Sequence, residues 1–477
     1  MMSPGLSKPQ TAKVGSFLRA FRRVVAHWQA IILLLVLTWV AFLAARSDDF
    51  GLFFDLIGLA LLLILIASQI FWIRRIIDLG ERVLPSKPRR RRVAMGVILV
   101  YLFVIAYSFP TTIGQGHTFR VGFYRLPNIV IEAVFWWWFV GSMLAFAFII
   151  AFATVDRATR ASAWAYRKAR QGIQGRIGAS DSAVADPPSR GRRHFLEQTA
   201  VLVSATPFVA VGYGLLYGRL DVEVVRRRIR LARLPKAFET FQIAQLSDLH
   251  IGPFTTADFI RRCVAITNEL KPDLIALTGD YIAWDTETQG EVVHLLAGLH
   301  APYGVFGCLG NHEEEGGIEE SITRLFTAQG IHILRQERAP IQLGGETINL
   351  IGIDEPHGRS AAEWKRDRER RLQQIKELTM PDTVNILLSH SPYQNIFDRA
   401  AELGIDLTLA GHTHGGQLSL DFLYHGLNPS RLLYRYNSGW YAKDGAQLYV
   451  NRGIGTTGLP LRLGARPEIT VLELGRI

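Results

Sequence analysis

The chain has 477 residues, 49% hydrophobic and 20% charged, with a mean hydropathy of +0.15. That is too apolar for a purely soluble domain, and it excludes a disordered, collagen-like or disulfide-scaffold chain. The formal charge of +11 is unevenly placed, since residues 1–220 carry 26 Lys and Arg against 10 Asp and Glu and residues 221–477 carry 27 against 32. The basic excess therefore flanks apolar runs, where it sets membrane orientation, and no nucleic-acid partner is expected.

Taken in chain order, Trp28–Ala45, Gly51–Ile73, Val93–Phe109 and Ala133–Val155 are apolar runs near the ~20 residues a membrane span needs, and predict a four-helix transmembrane region over 1–156. Residues 157–193, with Pro187 and Pro188, read as a basic cytoplasmic linker. Residues 194–218 hold a shorter apolar run, Ala200–Tyr217, read as a fifth span or a signal anchor. Just ahead of it, Arg192-Arg193-His194-Phe195-Leu196 resembles the twin-arginine export signature. Basic loops stay inside, so five spans leave everything after residue 220 outside. Arg226, Arg227, Arg228, Arg230 and Arg233 argue against that side, yet Val222, Val224 and Val225 among them read as the start of a strand. Asp55 and Glu132 read as hydrated interfacial carboxylates, and Trp136, Trp137 and Trp138 as an aromatic belt.

From residue 241 short apolar runs alternate with amphipathic segments, the pattern of an α/β layered domain over 219–477. The candidate strands are Phe241–Ser247, Asp273–Thr278, Tyr303–Leu309, Thr347–Ile353, Thr383–Ser389 and Asp406–Ala410. The candidate helices are Ala257–Leu270, Ala361–Leu378 and Asn395–Leu403. Most of these runs end in polar ligand residues: Asp248-Leu249-His250, Gly279-Asp280, Gly310-Asn311-His312-Glu313, His390, and Gly411-His412-Thr413-His414. Open α/β sheets build their sites at such carboxyl ends, where loops are free to supply side chains. Two carboxylates, one carboxamide and four imidazoles without a thiolate suit two divalent or trivalent ions of Mn, Fe or Zn. Seven ligands exceed one tetrahedral site and suit a pair about 3.5–4 Å apart, able to clamp both oxygens of a displacement at phosphorus. Cys263 and Cys308 leave one disulfide and two buried thiols both open.

Asp-x-His, Gly-Asp, Gly-Asn-His-Glu, a single His and Gly-His-x-His in this order resemble the calcineurin-like metallophosphoesterases over about residues 240–477. Gly411–Gln417 and the tail Asn451-Arg452-Gly453-Ile454-Gly455 through Pro467-Glu468-Ile469 resemble the membrane-attached bacterial branch. The resemblance implies two packed mixed sheets flanked by helices. It assigns Asp248, His250, Asp280 and His414 to one metal, Asp280, Asn311, His390 and His412 to the other, and a bridging role to Asp280. It implies hydrolysis of phosphodiester, phosphomonoester or pyrophosphate bonds by a hydroxide formed between the cations. His312 would then stabilise the phosphoryl charge or protonate the leaving oxygen. Where the purple-acid-phosphatase branch has a tyrosine ligand stands Ala283, so a strict iron requirement is not implied. His357, Tyr393, Arg452 and Arg462 are candidates to line the substrate site, while His294, His300, His332 and His425 read as structural. The expected partners are the lipid bilayer and a phosphate ester, lipid-linked if tethering sets the substrate. The expected location is a bacterial inner membrane with the domain on the periplasmic face. A nucleotide phosphodiesterase and a non-catalytic metal-bound docking or sensor module are the alternatives.

Overall fold

The computed structural model describes residues 63–76, seven positions between 86 and 99, 126–174, 205–356, 361–421, 426 and 428–477. The first and third expected spans fall outside or almost outside these residues, as do Arg192–Leu196, Asp55, His357 and His425. Two compact units are present, one taking in Phe135–Ala210 and the other Val211–Ile477.

The helix Leu126–Gln174, which belongs to the first unit from Phe135 on, runs through residue 157, so the first half of the expected linker is helical. Its Ala, Arg and Lys content explains this, since all three are good helix formers. Among the described residues one stretch of helix, Val130–Ala151, is long and apolar enough to cross a membrane. The helix over 63–76 packs on it through Ser142, whose carbonyl accepts from Ser68 Oγ at 3.0 Å and Trp72 Nε1 at 2.9 Å. Of the three tryptophans expected as a belt, Trp136 packs against Phe139 and Trp137 and Trp138 against Phe208, with Trp137 exposed.

The second unit has two six-stranded sheets. Its strands are β1 (Glu223–Leu231), β2 (Gln242–Leu246), β3 (Leu274–Thr278), β4 (Val305–Cys308), β5 (Ile331–Ile333), β6 (Glu337–Leu343), β7 (Glu346–Gly352), β8 (Val384–Leu388), β9 (Leu407–Ala410), β10 (Gly439–Lys443), β11 (Ala446–Val450) and β12 (Glu468–Arg476). The orders are β1-β12-β2-β3-β4-β5 and β10-β11-β9-β8-β7-β6. Both sheets are mixed: β12 runs antiparallel to β2, β10 to β11 and β6 to β7, and the remaining pairs are parallel.

Burial on both faces explains why the central strands are continuous apolar runs. In β3, Leu274 and Ala276 enter the layer between the sheets with Ile243, Ile386 and Leu409. Ile275 and Leu277 point the other way, onto the helices Ala257–Glu269, Gln289–Leu296 and Glu319–Ala328. A third cluster packs the outer face of the second sheet on the helix Ala361–Leu378 through Ile351, Leu387, Leu372 and Ile375. The result is a helix–sheet–sheet–helix sandwich. Cys263 and Cys308 are both free and buried.

The arginine-rich segment after residue 220 is the edge strand β1. Ile229 and Leu231 turn inward while Arg226, Arg228 and Arg230 stay exposed, a common way to keep a sheet edge from pairing with another chain. At the amino end of β8, away from the ligand-bearing ends, Asn385 is 1% exposed. Its Nδ2 donates to Met380 O, Thr383 O and Gly404 O, and its Oδ1 accepts from Asn349 and Met380 N. Asn385→Ala orphans these groups, so it is expected to cost about 3 kcal/mol. Denaturant unfolding would read this as an earlier midpoint at unchanged slope.

Candidate metal centre

Each strand expected to end in a candidate ligand residue is followed by it. β2 leads into Asp248 and His250, β3 into Asp280, β4 into Asn311 and His312, β8 into His390, and β9 into His412 and His414. The loops bend sharply to aim these side chains. Asp248, His250, Asp280, His412 and His414 are five of the eleven non-glycine residues with positive φ among those described. Such backbone costs about 1–3 kcal/mol per residue and collects where function overrides local preference.

The side chains converge. His250 Nε2 lies 3.1 Å from His414 Nε2, and His414 Nε2 lies 3.2 Å from Asp248 Oδ1. On the other side His390 Nε2 stands 3.2 Å from His412 Nδ1. Asp280 Oδ2 sits between the two groups, 3.4 Å from His250 Nε2 and 3.1 Å from His390 Nε2. Three triads hold their ligand atoms within 4.8 Å of one another: Asp248–His250–His414, His250–Asp280–His312 and Asp280–His390–His412. His312, expected in catalysis, thus also falls within reach of a cation.

The surroundings fit a cation on three counts. The Oδ1 of Asn311 is buried and accepts no hydrogen bond among the described residues, as a metal ligand would before loading. His250 Nδ1 faces Ile282 O at 3.2 Å and His390 Nδ1 faces Thr278 O at 2.7 Å. A carbonyl only accepts, so each ring carries a proton on its outward nitrogen, as a histidine that gives its inner nitrogen to a cation does; burial disfavours the charged form of His390, but the Asp280 carboxylate outweighs it and holds the ring well above the ordinary imidazole value. Both carboxylates are held ionised. Burial opposes this, but His414 and His250 keep Asp248 well below the usual range, and His390 does the same for Asp280.

Beneath Asp280 lies Glu313, the last residue of the Gly-Asn-His-Glu motif and one to which the sequence assigns no task. It is fully buried and accepts from the backbone N–H of Asp280 (3.0 Å), Tyr281 (2.8 Å), Ile282 (3.2 Å) and Gly310 (2.9 Å). Burial, then the charge of Asp280, pushes its carboxyl up to about 7, while the amides of Gly310 and Ile282 pull the other way. Gly310 allows the approach: a Cβ there would lie 2.5 Å from Asp280 N.

His312 donates from Nδ1 to Ala283 O and packs against His250 and Trp284. Burial lowers its imidazole to about 4, against the pull of Asp280. Neutral, it presents the Nε2 lone pair 3.9 Å from Asp280 Oδ2. Tyr434, unsuspected from sequence, places its hydroxyl 3.4 Å from His412 Nε2.

The expected substrate contacts fare differently. Tyr393 gives its hydroxyl to Glu355. Arg452 is engaged by Glu468 and by Glu223, so a phosphate there would compete with two carboxylates. Arg462 is 1% exposed and stands behind His414, out of reach of a substrate. Burial lowers its guanidinium to about 9, still cationic at neutral pH.

Two facing mixed sheets with carboxylates and imidazoles gathered at their strand ends define an α/β sandwich with a candidate metal site. The calcineurin-like phosphoesterase family matches residues 241–416. An uncharacterised metallophosphoesterase of Bacillus subtilis, YkuE, is 32% identical over 290 residues, which cover 59% of this chain and 97% of the relative. The chain belongs to the calcineurin-like metallophosphoesterase family. The phosphodiesterase YaeI of Escherichia coli is 30% identical over 59% of this chain and 98% of its own length. A Danio rerio protein named as a transmembrane protein with a metallophosphoesterase domain is 29% identical over 58% of this chain and 62% of its own.

Proposed function

We propose that the chain is a membrane-anchored, two-cation phosphoesterase that hydrolyses phosphodiester, phosphomonoester or pyrophosphate bonds, with lipid-linked phosphates as substrates. The observation that carries it is the position of Asp280 Oδ2 within 3.4 Å of histidines from both groups, the place of a bridging ligand. Asp248, His250 and His414 would share one ion with Asp280, and Asn311, His390 and His412 the other. Cations bound there supply Lewis acidity, polarising the phosphoryl group and making water acidic enough to attack at neutral pH.

The rest is work for this chain's own residues. The closed loops around Asp248 and Asp280 exclude bulk water, so charge on the transferring group is met at close range in a low dielectric. His312 is neutral before substrate arrives. An anionic phosphoryl group near Nε2 raises its proton affinity, and a proton held at Nε2 stabilises that charge and is then given to the leaving oxygen.

The apolar stretch Val130–Ala151 and the transmembrane relative support the anchor. With the anchor, basic inner loops support a multi-pass topology in the bacterial inner membrane: a four-helix region over 1–156, a linker over 157–193, a fifth span or twin-arginine-type signal anchor over 194–218, and the phosphoesterase domain outside. Tethering concentrates the domain near lipids, which is why lipid-linked substrates are preferred.

The test uses the full chain purified in detergent and loaded with Mn²⁺, assayed on bis-p-nitrophenyl phosphate, on nucleotides and on phospholipid or lipid pyrophosphates. Hydrolysis of lipid phosphates, removed by a chelator and restored by Mn²⁺, is the expected outcome. Turnover of nucleotides alone would replace this reading with a general phosphodiesterase. Full cation content without turnover of any ester would replace it with a docking module. A reporter fused to the carboxyl terminus checks the side of the membrane.

A further inference from the structure

Trp284, in the turn after β3, is 39% exposed, although its ring centroid lies 4.1 Å from that of His312. Three residues earlier Tyr281 is fully buried, so the turn has room in the core for an aromatic ring and still leaves this one at the surface. The inner sides of His312 are already taken: its Nδ1 donates to Ala283 O, and its ring meets that of His250 edge-on at 4.5 Å. A single exposed apolar side chain on a surface needs no explanation. This one borders the group that hands a proton to the leaving oxygen.

The loop after His250 runs beside Trp284. Ile251 forms an isolated β-bridge with Ile282, and a Cβ on Gly252 would lie 3.5 Å from that of Ala283. The same loop carries the half-buried Phe254, whose carbonyl accepts from Arg219 and whose ring lies 5.8 Å from that guanidinium. Arg219 follows the end of the helix 205–216, where Tyr213, Leu216 and Tyr217 share one face and are 51, 61 and 67% exposed. Neighbouring backbone thus connects Trp284, through Phe254, to an exposed apolar surface. The polar residue next to Trp284 is committed elsewhere, since Asp285 Oδ1 accepts from Glu287 N at 3.0 Å as the cap of the turn Thr286–Thr288.

We propose that Trp284 is a specificity-determining residue: its exposed indole face forms the wall of a subsite for an apolar leaving group, the hydrocarbon portion of a lipid phosphate. A proton passes from His312 Nε2 to the leaving oxygen only at hydrogen-bond reach, so the carbons borne by that oxygen come within reach of the ring packed on His312. An indole already held against an imidazole offers them a broad apolar face with little further ordering. A nucleobase would also stack on such a ring. The surroundings favour hydrocarbon, because what continues from Trp284 is Phe254 and the apolar helix face. The inference rests on the phosphoesterase reading and adds the side of the scissile bond on which the apolar part lies.

The test uses the full chain in detergent, loaded with Mn²⁺, and compares hexyl with glyceryl esters, each offered as the phosphomonoester and as the methyl diester, with the released alcohol identified by chromatography. The parent should release hexanol at a lower KM than glycerol. Trp284→Ala is expected to raise KM for the hexyl ester by about 10-fold, the worth of about two buried methylenes, at unchanged kcat, and to leave the glyceryl ester as it was. Affinity for hexylphosphonate, which is not hydrolysed, should fall by the same factor, and Trp284→Phe should recover most of the loss. Parent-like cation content and unfolding temperature certify the variants; should Trp284→Ala not fold, Trp284→Gln carries the test. An equal fall of kcat on both esters at unchanged KM would make Trp284 a support for His312 and overturn the proposal, as would an unchanged KM for the hexyl ester or an equal rise for both. Turnover of nucleotides without turnover of any hexyl ester would overturn it and leave a phosphoesterase. A parent that hydrolyses no ester at all would instead overturn the phosphoesterase reading, and this inference with it.

Discussion

On the proposed two-cation reading, Asp280→Asn is expected to lower turnover of a phosphodiester by on the order of 10³-fold, since the charge it removes would serve both cations and each would supply several kcal/mol of transition-state stabilisation. The substitution is nearly isosteric. The carboxamide oxygen it introduces can still accept from His312 N, a bond of 3.0 Å to Asp280 Oδ1 in the parent, and Glu313 still holds the backbone at 280. The fold should therefore survive while cation content drops, and elemental analysis after dialysis would read this directly. His312→Ala is the natural contrast. It removes a proton-handling ring without removing charge from the site, so activity should fall by about 10²–10⁴-fold with cation content close to the parent value. Asp280→Asn protein that keeps both its metal and its turnover would remove the bridging role. His312→Ala protein that loses its metal would move His312 into the ligand set, where its triad with His250 and Asp280 already allows it to stand.

The strands that lead into the candidate ligands, β2, β3, β4, β8 and β9, and β7 beside β8, were legible because they are buried on both faces and stand out as apolar runs, each found to within a residue or two at its ends. β6, β11 and β12 were not, and β1 was legible only at its start, Val222, Val224 and Val225. β6 contains Pro340 and buries only Ile341, and arginines fill much of β1, so neither resembles a core strand in composition. The expected helix Asn395–Leu403 is regular only over Gln394–Phe397. Among the described residues the motif spacing named the three histidines whose nitrogens lie within 3.9 Å of Asp280 Oδ2. It could not find the side chains behind the site, because burial is a property of the fold. Arg462 reads in the sequence as a candidate to line the substrate site, and its burial, with Gly214 and Gly218 packed on its backbone, makes it part of the interior. Tyr434 has no motif at all; proximity to His412 alone brings it into view.

Glu313 is the residue whose loss should cost the fold most. Its two oxygens satisfy four amides, at residues 280, 281, 282 and 310, in the turns after β3 and β4. Glu313→Ala leaves all four donors buried without acceptors, and at about 1 kcal/mol or more per orphaned amide the loss comes to about 4 kcal/mol or more. Against a total stability of about 5–15 kcal/mol that is enough to unfold a large share of the molecules at physiological temperature. Glu313→Gln keeps one carbonyl oxygen for two of the amides and turns an NH₂ group towards the other two, so its loss should be intermediate. Calorimetry should therefore order the unfolding temperatures parent, Gln, Ala, with and without Mn²⁺. The same turns carry Asp280 and Asn311, so cation binding should weaken in step with stability, whereas Asp280→Asn separates the two. If Glu313→Ala unfolds at the parent temperature, the amides find other acceptors and the carboxylate is not what holds Asp280 in its positive-φ turn.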